Sequence, residues 1–356
     1  MDKSKVLIID DSSVIRSIIK EVLLDETEIE VVGEAKDPFV ARDLIKKLNP
    51  DVLTLDVEMP KMDGITFLAN LMRLRPMPVL MLSTLTTKGA EVTLKALELG
   101  AIDFIAKPSF QELLSTKGSF KETLISKIKH AAQINHKTSL SSNVSSEQLP
   151  FSGCVRRNHL VAIGASTGGT EAIKKVLSGL PQNCPPILIT LHIPKVFSAH
   201  FAARMDKSCK MQVQEAKHGQ KIKEGNVYIA PGDLHLKVES KGGSLFCILE
   251  DSPEVNRHKP AVDVLFNSLI PIAENTHAIL LTGMGRDGAK GLLNLKENKG
   301  MTTIQTEQSS LIWGMPGAAF KLNAHTRQTD LSNIATELLS YALLDRTGMK
   351  ELKNEN

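Results

Sequence analysis

Two sets of reactive side chains stand out in this chain by where they fall against its apolar runs. The first set stands where short apolar runs end: Asp10 and Asp11 after KVLII, Asp56 closing DVLTLD, Ser83 closing PVLMLS, and Lys107 following AIDFIA. In an open parallel sheet, ligands bind beyond the carboxyl ends of the strands, so residues far apart in sequence are expected to converge there. The three carboxylates, Asp10, Asp11 and Asp56, make a hard oxygen site suited to Mg²⁺, which keeps several waters and bridges to phosphate oxygens. A cation is needed because clustered carboxylates repel one another and repel an incoming phosphoryl group. Lys107 offers that phosphoryl a compact positive charge, and Ser83 offers a hydroxyl. Asp56 is the expected nucleophile. Any one of these aspartates is equally well explained as a helix cap. It is the ordered set of five that favours a phosphoryl pocket.

The second set begins where HLVAI runs into GASTGGTEAIKKVL, which puts Ser166 on a glycine-flanked turn between a strand and a helix. Such a turn exposes the hydroxyl, and the helix N-terminus beyond it offers amides and partial positive charge to a developing oxyanion. By itself this turn equally describes a phosphate or dinucleotide loop. His192 ends PILITLH and Asp287 follows HAILLTGMGR, so both are expected at the same sheet edge as Ser166. A serine hydroxyl needs a base to take its proton, and the imidazole needs a carboxylate to orient it. Ser166, His192 and Asp287 can fill those three roles. Their chain order differs from the Ser, Asp/Glu, His order of α/β-hydrolases, which argues against a lipase-like enzyme.

These residues need sheets to hold them. With 356 residues the chain is long for a single core, so two domains are expected. The net charge of +3 is too small to imply a nucleic-acid surface. No apolar run reaches the ~20 residues of a membrane span, and MDKSKVLIIDD has no signal-peptide layout, so a cytoplasmic protein without membrane insertion is expected. Four scattered cysteines give neither zinc spacing nor a disulfide framework. From Lys5 to Pro108, strand-like runs alternate with helix-period segments, the rhythm of a parallel sheet. A possible amphipathic helix, KETLISKIKHAAQI, and then the Ser-rich KTSLSSNVSSEQLPFSG read as a linker. The rhythm resumes at His159, with a small antiparallel section possible among its middle strands. The expected fold is α/β: two doubly wound parallel-sheet domains, the first flavodoxin-like and the second Rossmann-like.

The first set, with DD, Asp56, Ser83 and the KP of Lys107 and Pro108 after successive strands, resembles the receiver domains of response regulators. That resemblance implies that Asp56 is the phosphoacceptor and that Phe104 is the aromatic switch residue. It also implies a cis bond between Lys107 and Pro108, and a histidine kinase as phosphodonor. The second half resembles the catalytic domain of CheB-type chemotaxis methylesterases through GASTGG, HIP, YIAPGD, RHKPAVDVLF, LTGMGRDGA and SSLIWGMP. Carried over by position, it implies Ser166 as nucleophile, His192 as base and Asp287 as its orienter. Thr167 would line the site, and the Met284 amide would donate to the oxyanion. Leu191 and Ile193 stand where the family often has Gln and Met, which bears on substrate contacts. The implied activity is demethylation of γ-glutamyl methyl esters on chemoreceptors, with deamidation of receptor glutamines, under phosphorylation control. Ester hydrolysis itself would need no cofactor, and a monomer is expected. A receiver-controlled esterase or amidase acting on another substrate and a non-enzymatic response regulator are the alternatives. The expected layout is a receiver over 1–108, a linker over 109–156, the catalytic domain over 157–345 and a tail over 346–356.

Overall fold

The computed structural model describes residues 3–107, 117–134 and 159–343. The chain divides into two compact units, Met1–Asn143 and Val144–Asn356.

In the first unit the apolar runs form five strands: β1 (Ser4–Ile9), β2 (Ile29–Ala35), β3 (Val52–Asp56), β4 (Val79–Ser83) and β5 (Asp103–Ala106). They pair in the order β2-β1-β3-β4-β5, and every pairing is parallel. A parallel strand buried on both faces needs apolar residues throughout, and Val6, Leu7, Ile8 and Ile9 are all fully buried. Four helices connect the strands: α1 (Ser13–Leu23), α2 (Pro38–Leu48), α3 (Gly64–Leu74) and α4 (Thr87–Glu98). Their starts are written locally. Ser12 accepts from the Ile15 amide, Asp37 from Phe39 and Val40 with Pro38 next to it, Asp63 from Thr66, and Thr86 from Gly89. The strand order reverses between β1 and β3, a crevice where ligands bind in sheets of this kind.

A fifth helix, α5 (Lys117–Gln133), carries the first unit beyond the boundary expected at residue 108. Leu124, Ile128 and Ala131, spaced by four and three, bury one stripe of it. Lys127 on the same helix holds Asp103 at 2.8 Å and the Phe104 carbonyl at 2.7 Å. The helical part of the expected linker therefore belongs to the first unit. The Ser-rich part of that segment, the tail from 346 and the bond between Lys107 and Pro108 lie outside the described residues.

The second unit centres on seven parallel strands in the order β15-β14-β13-β6-β7-β10-β8. They are β6 (Leu160–Ala165), β7 (Ile187–Leu191), β8 (Gln212–Glu215), β10 (Asn226–Ile229), β13 (Thr276–Leu280), β14 (Met301–Gln305) and β15 (Arg327–Thr329). The antiparallel section is also present: β9 (Gln220–Lys221), β11 (His235–Lys241) and β12 (Ser244–Glu250) pair as β11-β12-β9. The helices are α6 (Gly169–Ser178), α7 (Lys195–Ser208), α8 (Val262–Ser268), α9 (Ala289–Glu297), α10 (Met315–Lys321) and α11 (Ile334–Leu343). Strands β8, β14 and β15 escape an apolar-run reading. Within β14, for example, Thr302, Thr303 and Gln305 are buried polar residues, and Thr303 bonds His277 while Gln305 bonds the Thr282 amide. The order of this sheet reverses between β6 and β13, the crevice reached by the turns that follow those two strands.

Candidate active site

In the first unit, Lys107 Nζ lies 2.8 Å from Asp10 Oδ2 and 2.7 Å from Asp56 Oδ1. One carboxylate oxygen from each of Asp10, Asp11 and Asp56 falls within 4.8 Å of the others. This all-oxygen, all-anionic donor set suits a hard divalent cation such as Mg²⁺. Asp10 and Asp56 are buried and Asp11 is exposed. The Glu58 amide donates to Asp56 Oδ1 at 3.3 Å. Burial, opposed by the Lys107 hydrogen bond and reinforced by the Asp10 charge, lifts the Asp56 carboxyl to about 6. Burial lowers the Lys107 ammonium, but Asp10 and Asp56 together outweigh it and leave the group above its usual range. Asp11, Asp56 and Lys107, with Glu58, Thr84 and Gly89, line a cleft of about 210 Å³.

The Ser83 side chain takes another course. Its hydroxyl accepts from Thr93 Oγ1 at 2.7 Å and is 3.4 Å from the Gly89 carbonyl, so Thr84 reaches the cleft in its place. Sequence reading missed Thr84 because it is simply the residue after the strand end. Phe104 is buried, with Lys127 Nζ 5.4 Å from its ring centroid.

In the second unit, Ser166 and Thr167 leave β6, His192 follows β7, and Met284 and Asp287 lie on the turn after β13. Gly168 adopts φ +75 just before α6, a left-handed conformation that glycine takes without strain. The Ser166 amide donates to the Thr282 carbonyl at 3.1 Å. A Cβ on Gly283 would stand 2.8 Å from Ser166 Cβ, so only glycine lets the two turns approach this closely. Thr282 ties them from below, its hydroxyl donating to the Thr167 carbonyl at 3.1 Å.

His192 Nε2 lies 2.8 Å from Asp287 Oδ2. Asp287 also accepts from the Val262 amide at 2.6 Å, the Asp263 amide at 3.1 Å, the Gly288 amide at 3.0 Å and Asn256 Nδ2 at 2.8 Å. Burial alone would raise this carboxyl. The His192 bond and charge, Asn256 and the backbone amides overcome it and hold Asp287 at about 2. An ionised carboxylate on Nε2 accepts a hydrogen bond from that nitrogen and leaves the lone pair on Nδ1. Nδ1 is buried and makes no hydrogen bond. His192 and Asp287 are thus in direct contact, whereas Ser166, at the same edge, is not hydrogen-bonded to His192; such bonds often form only with substrate in place.

Residues 161–338 match the CheB methylesterase family, and residues 6–117 match the response regulator receiver domain. The chain belongs to the CheB methylesterase family. It is 48% identical over 343 residues to a protein-glutamate methylesterase/protein-glutamine glutaminase of Photorhabdus laumondii, covering 96% of this chain and 97% of that protein. A protein of that name from Saccharophagus degradans is 47% identical over 348 residues, 96% of this chain and all of the other. The crystal structure of the Thermotoga maritima CheB methylesterase catalytic domain aligns with 51% of this chain and 98% of its own, at 34% identity and a TM-score of 0.51.

Among the described residues no helix is long and apolar enough to cross a membrane. Other residues of the CheB unit escaped sequence reading. Asn256, on Asp287, sits in RHKPAVD-flanking sequence with no catalytic signature of its own, and His258 carried only the hint of belonging to a family-like stretch. Both come from one turn.

Proposed function

We propose that this chain hydrolyses γ-glutamyl methyl esters on chemoreceptors, and deamidates receptor glutamines, at Ser166, with the rate set by phosphorylation of Asp56. The observation that carries this reading is the His192–Asp287 pair beside Ser166, with Nε2 bound at 2.8 Å and Nδ1 left as a buried, unengaged base. Family membership supports the substrate class.

Ser166 Oγ attacks the ester carbonyl carbon as its proton passes to His192 Nδ1. Asp287 stabilises the resulting imidazolium through Nε2 without taking the proton itself. The oxyanion rests on backbone amides, Met284 N among them, beside the N-terminus of α6. His192 returns the proton to methoxide as methanol leaves. Water, deprotonated by the same nitrogen, then opens the acyl-enzyme to free carboxylate and Ser166. A glutamine follows the same path with ammonia as leaving group.

In the receiver unit, a carboxylate oxygen of Asp56 attacks the phosphorus of a phosphodonor, for which a phosphohistidine of a histidine kinase is the natural source; the P–N bond breaks, the imidazole leaves and takes up a proton, and Asp56 becomes an acyl phosphate. Asp10, Asp11 and Asp56 would hold Mg²⁺, and the ion would supply positive charge against the phosphoryl oxygens. Lys107 pairs with the phosphoryl oxygens once Asp56 is phosphorylated.

The test is incubation with methyl-labelled receptor membranes, scoring labelled methanol with and without a small phosphodonor and Mg²⁺. Release that requires Ser166 and rises with the phosphodonor is expected. Release that persists in Ser166→Ala would falsify the catalytic assignment.

A further inference from the structure

Beyond the three residues of the proposed relay, a short hairpin turn meets both His192 and Asp287. Val255 and His258 pair antiparallel, each amide bonding the other's carbonyl at 3.1 and 3.0 Å. The two residues between them, Asn256 and Arg257, both have positive φ, +54 and +68. That is the geometry of a tight two-residue turn, which asparagine tolerates better than most side chains. The turn projects two side chains at the site from one short segment. Asn256 Nδ2 donates to Asp287 Oδ1 and to Asp263 Oδ2, both at 2.8 Å. With a carboxylate oxygen at each contact, the amide nitrogen and not its oxygen must face them. The His258 ring lies flat on the His192 ring, with centroids 3.6 Å apart and planes 14° apart.

These contacts constrain different motions. The bond from Asp287 fixes one end of the His192 imidazole but leaves it free to swing about that bond. A flat ring stacked on its face blocks the swing. Asn256 adds to the three backbone amides that hold Asp287 and, by donating to both carboxylates, keeps Asp287 and Asp263 apart at a fixed spacing. We propose that the Asn256–His258 turn is a positioning element for the base, with His258 setting the plane of the His192 ring and Asn256 the rotamer of Asp287. The inference rests on the reading of His192 as the base. Neither Asn256 nor His258 takes a proton in the reaction; they act through the two residues they hold.

The role requires a flat ring at 258 and an uncharged donor at 256, which separates it from simple packing. Demethylation of receptor membranes by the full-length protein is measured for His258→Ala, His258→Phe, Asn256→Gly and Asn256→Asp, with thermal melting of each variant as the check on folding. His258→Ala is expected to lower kcat about 10- to 100-fold with KM within about twofold, because misplacing a base costs rate and not substrate affinity. His258→Phe, which keeps the stack, should recover most of that loss. Asn256→Gly keeps the positive φ without strain and should fall about tenfold. Asn256→Asp, which sets a third carboxylate against Asp263 and Asp287, should fall further. A folded His258→Ala with wild-type kcat, or a His258→Phe no better than Ala, overturns the stacking role. Asn256→Gly at the wild-type rate overturns the amide's role. If Ser166→Ala leaves hydrolysis intact, the underlying assignment has failed; if Ser166→Ala is dead while the turn variants are normal, only this inference has.

Discussion

Asp56 and Asp287 are the same residue type in comparable positions, yet their surroundings make them opposites. Each lies near the carboxyl edge of a parallel sheet, beside the reversal of strand order, and each is nearly buried, at 3% and 1% exposed. The carboxyl of Asp56 is lifted to about 6, whereas that of Asp287 is held at about 2. Burial pushes both upward, so the difference lies in what faces the oxygens. Asp56 has Lys107, the distant Glu58 amide and a competing carboxylate, Asp10. Asp287 has His192, Asn256 and three backbone amides. A buried carboxylate short of donors is held toward its protonated form. One saturated with donors is held ionised. Donor count, more than depth, sets the two carboxyls apart here.

Neutralising each aspartate in turn should separate the two sites most strongly. Asp287→Asn should lower kcat for demethylation about 10⁴-fold, as loss of the orienting carboxylate does in Ser-His-Asp enzymes generally. Phosphorylation of Asp56 by a small phosphodonor should proceed normally in that variant, measured as phosphoryl incorporation. Asp56→Asn should do the reverse: incorporation is lost, the ratio of methanol release with and without phosphodonor falls to one, and basal release stays at the wild-type level. If Asp287→Asn also abolished phosphorylation, or Asp56→Asn abolished basal release, the two sites would not be chemically separate.

The comparison also shows what the sequence could carry. Asp10, Asp56, Lys107, Ser166 and His192 were legible because each terminates an apolar strand or opens the turn beyond it, so period and position point to one edge. Phe104 and Met284 were reachable only through family resemblance; nothing in their spacing marks them. Helix α5 was visible as a pattern but not as part of the first unit, because the partner of its Leu124 and Ile128 stripe is a sheet made of distant segments. The buried polar residues of β14 hid an interior strand, since their partners, His277 and the Thr282 amide, come from a different element. Asn256 and His258 were hidden for the same reason. A positive-φ turn that reaches across to His192 and Asp287 leaves no periodic trace in its own stretch of chain.

A smaller effect sharpens the Asp56 side. A protonated carboxyl is no nucleophile, so phosphorylation from a small donor at low Mg²⁺ should fall as pH drops through about 6, approaching tenfold per unit below it. An ordinary aspartate would hold its rate down to about 4. Saturating Mg²⁺ should move the fall to lower pH, because the cation favours the ionised form. A rate that is flat from pH 7 to 5 at low Mg²⁺ would mean that Asp56 is better served with donors than the geometry indicates.

The smallest effect is on stability, and its sign differs between the two aspartates. For Asp56 the folded carboxyl lies above its unfolded value, so its ionisation penalises folding: not at all below about 4, and fully once pH exceeds about 6. Asp56→Asn should therefore stabilise the first unit at pH 7 by on the order of 1–2 kcal/mol, with the gain vanishing toward pH 4. For Asp287 the folded carboxyl lies below its unfolded value, so its contribution is present above about 4 and is lost as pH falls through about 2. Asp287→Asn should then destabilise the second unit at pH 7 by on the order of 1–3 kcal/mol, since an amide NH₂ also turns one acceptor into a donor among backbone N–H groups. Trp313, the single tryptophan, lies in the second unit and reads its unfolding by fluorescence. Amide exchange in β1 and β3 reads the first. Shifts of the same sign in both variants would show that burial, and not the donor set, governs these two carboxylates.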